Sequence, residues 1–263
     1  MVLGQPERRR KTRSTPGSSD EEVIDDKPLP LRAVLTKPVI ISVGNYGLLA
    51  LLEIAYLAIM PLFLATPIEF GGLGQSPAII GTIMGAFGIG NGIFQAAVFA
   101  KVVGRAGPKR LFMAGMSLFP FLFAFFPIIN SVARKQGIST LVWVLIGMQL
   151  SMQVLMDCCY GKIALCSSNF DAQPLSLSGC IFMYITSAAP NKRSLGATNG
   201  IGQLLAAIVR AIGPASASSL FALSIERNWL GGNAVYLLFG VLSCLSLFAC
   251  DLLPVQVWHR DDD

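Results

Sequence analysis

Three ionisable residues stand well inside long apolar runs: Glu53, Asp157 and Arg210. On insertion scales an Asp or Arg at the centre of a membrane helix costs about 2.5–3.5 kcal/mol, so such groups turn toward protein or a water-filled cavity. Glu53 follows Asn45 by two helical turns. A carboxylate placed there suits the binding and release of a proton, contact with a cationic solute, or a structural hydrogen bond. Gln149, Gln153 and Asp157 join Glu53 and Asn45 as candidates for lining a pathway for solute or protons. The other polar residues in the runs, Asn91, Gln95, Asn199 and Gln203, are expected to face the interior too, most of them in interhelical hydrogen bonds worth about 0.6 kcal/mol each.

Other chemistries find little support. The single histidine, His259, lies in a polar tail, and no paired carboxylates or nucleophile motif occurs within the apolar runs, which disfavours a membrane enzyme. Cys158, Cys159, Cys166, Cys180, Cys244 and Cys250 show neither a disulfide framework nor metal-ligand spacing, and read as small buried hydrophobes. No metal and no other cofactor is expected.

The elements that must position these residues are membrane-spanning helices. The chain is 53% hydrophobic and 13% charged, with a mean hydropathy of +0.62. Soluble domains carry about a quarter charged residues. A hydrocarbon core about 30 Å thick needs about 20 apolar residues at 1.5 Å each. Six segments meet that need: Val39 to Ala65, Ala78 to Ala100, the Phe-rich Leu111 to Asn130, a fourth from Thr140, Gly196 to Leu223, and Asn233 to Leu253. The expected fold is therefore an all-α integral membrane protein, with 34–254 as a six-helix bundle in the lipid bilayer.

Basic residues write the orientation. With the N-terminus in the cytosol, fifteen of the twenty Lys and Arg fall on the cytosolic side and three, Arg134, Lys135 and Arg227, on the other. That bias expects both termini to be cytosolic, in a plasma or vacuolar membrane. The polar, Pro-containing residues 1–33 read as a disordered cytosolic arm without a signal peptide, and 255–263 as a cytosolic tail. Trp143 and Trp258, near span ends, read as interfacial anchors. The net charge of +5 does not imply nucleic acid, because no basic face with interleaved aromatics occurs.

The fourth span has a break. It is apolar through Tyr160, is interrupted over 162–179 by a stretch holding Asp171 and Pro174, and resumes at Cys180. Neither residue suits a lipid-facing helix. Without those residues Gly161 would join Cys180 in one unbroken helix. Gly161-Lys162, Ser168-Asn169 and Leu177-Ser178-Gly179 can be encoded with splice-like and branch-like signals, so 162–179 reads as an insertion resembling a retained intron. With it set aside, Asp157 precedes Pro190, and Arg210 follows Ser194, by nearly equal lengths of chain. Both then lie roughly 23 Å from the connecting turn. Equal depth on adjacent antiparallel helices makes Asp157 and Arg210 candidates for a structural ion pair.

Several segments resemble a known family. The stretch from Asn45 to Glu53, with Pro61-Leu-Phe-Leu and Pro67-Ile-Glu-Phe-Gly-Gly-Leu-Gly74, resembles the seventh helix of fungal major facilitator superfamily transporters. Ala188-Ala-Pro-Asn-Lys-Arg-Ser-Leu-Gly-Ala-Thr-Asn-Gly200 resembles the loop between their tenth and eleventh helices. Arg105, Gly107, Lys109 and Arg110 resemble the superfamily's basic loop motif, with Gly104 where that motif has Asp. The resemblance covers about residues 33–258 outside the break. It implies the second six-helix half of the fold, with the first half absent. Gly81, Gly85, Gly88 and Gly92 are small-xxx-small pairs expected to let helices approach closely. Gly88-Ile-Gly90-Asn-Gly92 lies inside an apolar span rather than after a strand, which rules out a dinucleotide loop. Gly213-Pro214 is expected to kink the fifth span.

The resemblance implies a proton-coupled secondary transporter of small solutes, which would need a missing N-terminal half or a second copy as partner. A truncated fragment without transport activity is the alternative, and a channel lacks any visible pore-loop or charged-ring pattern. If 162–179 is a retained intron, sequencing the transcript will recover a product shorter by that stretch; its absence from all transcripts would remove the idea.

Overall fold

Three prolines set where helices begin. Pro38, Pro77 and Pro108 stand in first helical turns, where a missing N–H costs nothing and a fixed φ favours entry. The computed structural model describes residues 31–106, 108–157 and 180–253. Its helices are α1 (Leu31–Val34), α2 (Lys37–Ala65), α3 (Pro77–Ala106), α4 (Pro108–Gln136), α5 (Thr140–Asp157), α6 (Cys180–Ser187), α7 (Leu195–Glu226) and α8 (Ala234–Asp251). Six of these, all but α1 and α6, are long and apolar enough to cross a membrane. The expected all-α, six-span architecture is what the chain adopts. Helices α3 and α4 run past the apolar segments read from sequence, because basic residues at a membrane face remain good helix formers. Residues 31–33 of the expected arm are helical, in α1; the rest of the arm, the tail and the break at 162–179 lie outside the described residues.

Helix α2 is the hub. It packs along α7 and also touches α3, α4, α6 and α8, while α4 packs against α5 and α8. More than half of the α2 span is buried (56%), whereas none of the corresponding window of α3 is. The core of the bundle is aromatic. Phe126 stacks on Tyr236 with ring centroids 4.9 Å apart, Phe123 stacks on Phe239 at 5.4 Å, and Phe63 meets Phe126 edge-on at 5.0 Å. Such pairs add about 0.5–1.5 kcal/mol each beyond the apolar area they bury. They tie α4 to α8 and to α2.

The close approach expected of the α3 glycines occurs elsewhere. Gly81, Gly85, Gly88 and Gly92 are exposed, with nothing within 4 Å of a Cβ built on them, so no described neighbour uses the space they leave. The tight contact is between α2 and α7. A Cβ on Gly47 would stand 2.6 Å from Leu205, and one on Gly213 would collide with Ile54. Gly202 in turn lies against Ile185 and Tyr46. Helix α7 continues through Pro214, which cannot donate to the carbonyl four residues back, that of Arg210.

The loop after α2 closes on that helix's own end. Leu73, Gly74 and Gln75 donate backbone N–H groups to Phe63, Thr66 and Leu64, satisfying carbonyls that a helix C-terminus leaves open. Gly72 sits where any Cβ would overlap the Thr66 and Phe63 carbonyls. Asn130 of α4 pins the turn by donating to the Ile68 and Gly72 carbonyls at 3.0 and 2.8 Å.

Gly213→Val is expected to cost about 1–3 kcal/mol through overpacking against Ile54. The thermal midpoint of the detergent-solubilised protein should fall accordingly. Gly88→Ala, which points into open space and removes a flexible helix residue, should leave that midpoint equal or higher.

Candidate functional site

Polar atoms converge where α3 meets the end of α5. Gln149, Gln153 and Asp157 follow one another at intervals of four along α5, so they form one stripe of that helix. The Asn91 amide nitrogen of α3 donates to Asp157 Oδ2 at 2.7 Å, and the Gln153 amide nitrogen donates to Oδ1 at 3.0 Å. Gln149, deeper in the bundle, donates to the Leu122 carbonyl of α4 at 3.0 Å. Tyr56 of α2, fully buried, lies within electrostatic reach of the Asp157 charge. Its hydroxyl sits 3.9 Å from Met60 Sδ.

A carboxylate or a carbonyl only accepts hydrogen bonds, so the amide orientations follow from chemistry. In each of these residues the NH2 group faces its protein acceptor. The oxygens, Asn91 Oδ1, Gln149 Oε1 and Gln153 Oε1, are buried and have no hydrogen-bond partner among the described residues. Gln95 Oε1, one turn beyond Asn91 on α3, is in the same condition.

Glu53 lies one turn before Tyr56 on α2 and is 7% exposed. Across the α2–α7 contact, Gly202 meets Tyr46, Leu205 meets Gly47 and Gly213 meets Ile54. Arg210 stands one turn after the buried Ala206 and one turn before the buried Gly213, on the face of α7 that turns to α2. The register of those contacts sets Arg210 within about one turn of Glu53 along the helix axes. The packing thus adds Glu53 to Asp157 as a candidate partner for this guanidinium. Helix α5 packs mainly on α4, and α7 mainly on α2.

Asn45 serves a different join. Its amide nitrogen donates to the Ile41 carbonyl at 2.9 Å and to the Ala249 carbonyl of α8 at 3.0 Å. Close by on α8, Lys109 Nζ lies 3.9 Å from the Asp251 carboxylate and donates to the Asp251 carbonyl at 3.4 Å. Two donors from other helices therefore meet carbonyls in the last turn of α8, where a helix leaves them open. Of the basic loop motif, Lys109 makes this contact, Arg110 is exposed, Arg105 is in the last turn of α3, and Gly107 lies outside the described residues. Tyr56 carried no signal in the sequence, since an aromatic in a long apolar run reads as core. Asn91 showed only as one polar residue among several.

Six apolar helices around buried polar side chains define a polytopic α-helical membrane protein. Its homologues are major facilitator transporters, and it aligns with part of their length. It is 26% identical over 226 residues to the major facilitator-type transporter psiT2 of Psilocybe cyanescens, covering 85% of this chain and 41% of that protein. It is 25% identical over 229 residues to the efflux pump azaK of Aspergillus niger, covering 86% and 44%. With the protein ZINC INDUCED FACILITATOR-LIKE 1 of Arabidopsis thaliana it shares 26% over 215 residues, covering 80% and 40%. The chain thus spans about two fifths of the length of the curated relatives it matches. No protein-family profile matches it, and no solved structure gives a significant match.

Charge swaps separate the two candidate partners of Arg210. Exchanging Glu53 with Arg210 is expected to preserve the yield of folded protein in membranes better than Glu53→Gln or Arg210→Gln alone. Exchanging Asp157 with Arg210 is the matched control. Rescue there, and not in the first exchange, would assign the pair to Asp157.

Proposed function

We propose that this chain is the second six-helix half of a proton-coupled secondary transporter of small solutes, working with a first half or a second copy. The observation that carries the reading is a buried carboxylate in the hub helix, Glu53, together with a second polar centre at Asp157, Asn91 and Gln153. Such groups are kept in a membrane interior where they handle ions or solutes. In transporters built of two repeats, the solute site lies at the bilayer midplane between the units. Helix α3, unburied across its apolar window and carrying five exposed glycines, is the face that a first half would cover. The Lys and Arg distribution supports both termini in the cytosol. Lys109 on the α8 terminus supports a role for the basic loop motif in holding the cytosolic ends together.

A second reading, a fragment that inserts but does not transport, draws on the two-fifths coverage of the relatives and on that open face. Proteoliposomes under an imposed pH gradient decide between them. Protein is reconstituted alone and with a separately expressed first six-helix unit, and tested with a protonated amine, a carboxylate and a neutral sugar. Gradient-dependent accumulation of one of these, abolished by Glu53→Gln, is the expected outcome. Inert vesicles in both arrangements would favour the fragment, and unchanged coupling in Glu53→Gln would remove its proton role.

A further inference from the structure

Helices α4 and α8 run antiparallel and leave a hollow along their join. Phe123 stacks on Phe239 and Phe126 on Tyr236, which sets the register, and Lys109 meets Asp251 where α4 begins and α8 ends. The hollow holds about 660 Å³. The buried Phe123 and Tyr236 form its floor, and its depth comes from two positions with little or no side chain, Ala124 and Gly240. A Cβ on Gly240 would meet nothing within 4 Å. Leu237, Val241 and Leu245, all exposed, follow at intervals of four along α8 and make one wall.

The hollow has a closed end and a mouth. The closed end, at Pro120 and Leu245, lies near the middle of both helices. The mouth, at Ile128 and Asn233, lies where α8 begins and α4 nears its end. There the hollow runs into a second one of about 290 Å³, which shares Pro127 and Ile128 and is lined further by Ser131, Val132 and Lys135. The exposed Lys135 ammonium has no ion pair or hydrogen bond among the described residues, and no described acidic residue lines either hollow. Leu230, 65% exposed and held at a left-handed φ of 52°, stands at the mouth. That backbone is uncommon for a bulky side chain, and here it sets an apolar group where a chain entering the hollow would cover it. Trp143 and Trp229 are exposed at the same end, where tryptophan marks the membrane interface.

Dimensions and charge select the occupant. At 1.5 Å per residue, Asn233 and Leu245 are about 18 Å apart along α8, and Pro120 and Lys135 about 22 Å apart along α4. One leaflet is about 15 Å of hydrocarbon, and about 20–22 Å with its headgroups. The hollow is thus one leaflet deep, with its cation at headgroup height. A partner's spanning helix would need a groove that continues past mid-membrane. A lipid tail fits one that stops there, and a phosphodiester matches the Lys135 ammonium.

We propose that the hollow between α4 and α8 is a binding site for a phospholipid, with one acyl chain along Ala124 and Gly240 and the phosphate on Lys135. The site requires only that the chain spans a membrane, and it stands whether or not the chain transports a solute.

Native mass spectrometry of the full-length chain, released from detergent, counts both the lipids bound and the chains held together. Dioleoyl phosphatidylglycerol is titrated beside dioleoylglycerol, which has the same tails without phosphate, and glycerol 3-phosphate, which has no tails. One phosphatidylglycerol per chain should bind saturably, at least about tenfold more tightly than dioleoylglycerol, as suits a hydrogen bond to a charged group. Glycerol 3-phosphate should not displace it. Gly240→Phe, which fills the hollow, should weaken both lipids by at least about tenfold. Lys135→Gln should bring phosphatidylglycerol down to the level of dioleoylglycerol, and Lys135→Arg should keep it. Equal binding of the two lipids, or unchanged binding in Gly240→Phe and Lys135→Gln, would overturn the site. A pair of chains that retains no lipid and that Gly240→Phe separates would assign the hollow to a second copy instead. Should Gly240→Phe fail to fold, Lys135→Gln and the ranking of lipids on the wild-type chain decide.

Discussion

A hydrocarbon interior offers no water to hydrogen-bond, so every polar atom carried into it must find its partner in protein or in a bound solute. The rest of this structure follows from that constraint. Backbone groups meet it by forming helices, and helix ends meet it through neighbours. The loop after α2 folds back on the Phe63, Leu64 and Thr66 carbonyls, and Asn45 and Lys109 reach the last turn of α8. Side chains meet it less completely. The amide hydrogens of Asn45, Asn91, Gln149 and Gln153 are directed at carbonyls or a carboxylate, and among the described residues the amide oxygens of these four, with those of Gln95 and Asn199 and the hydroxyls of Ser139, Ser194 and Tyr236, are buried without a partner.

That leftover is a consequence of where donors come from in a helical membrane protein. Backbone N–H groups are consumed within helices, so the acceptors on offer to an interhelical amide are carbonyl oxygens and carboxylates. An Asn or Gln pairs its NH2 with one of these and presents its oxygen to the remaining space. A bundle glued by amides therefore tends toward an acceptor-rich interior. Here that tendency meets an intramembrane Asp157, which accepts from both Asn91 and Gln153.

Burial is distributed to match. Helix α2 is surrounded, and its contact with α7 is tight enough that Gly47 and Gly213 leave no room for a side chain. Close backbone approach maximises dispersion contact where lipid tails remove any hydrophobic drive for helices to associate. Helix α3 is the opposite case, a long apolar helix lying at the edge with its glycines uncovered. The α2–α7 pair is thus closely packed while α3 stays at the edge of the described bundle.

Much of this was legible in the residues alone. Helix length, the apolar runs and the prolines at helix starts specify six spans, because a bilayer of set thickness and a fixed rise per residue leave few alternatives. The charges Glu53, Asp157 and Arg210 stood out for the same reason, since their context is unfavourable unless used. Partnership was another matter. Spacing from a connecting turn made Asp157 a candidate partner of Arg210, and packing added Glu53 as a second candidate at the level of Arg210 and gave Asp157 hydrogen bonds from Asn91 and Gln153. Glycine spacing pointed to α3 as the site of close approach, and the fold uses Gly47, Gly202 and Gly213. A one-dimensional pattern records depth in the membrane and the face of a helix, both of which are properties of one helix. Which helix stands opposite is settled by the fit of whole surfaces, and only the tertiary structure decided it.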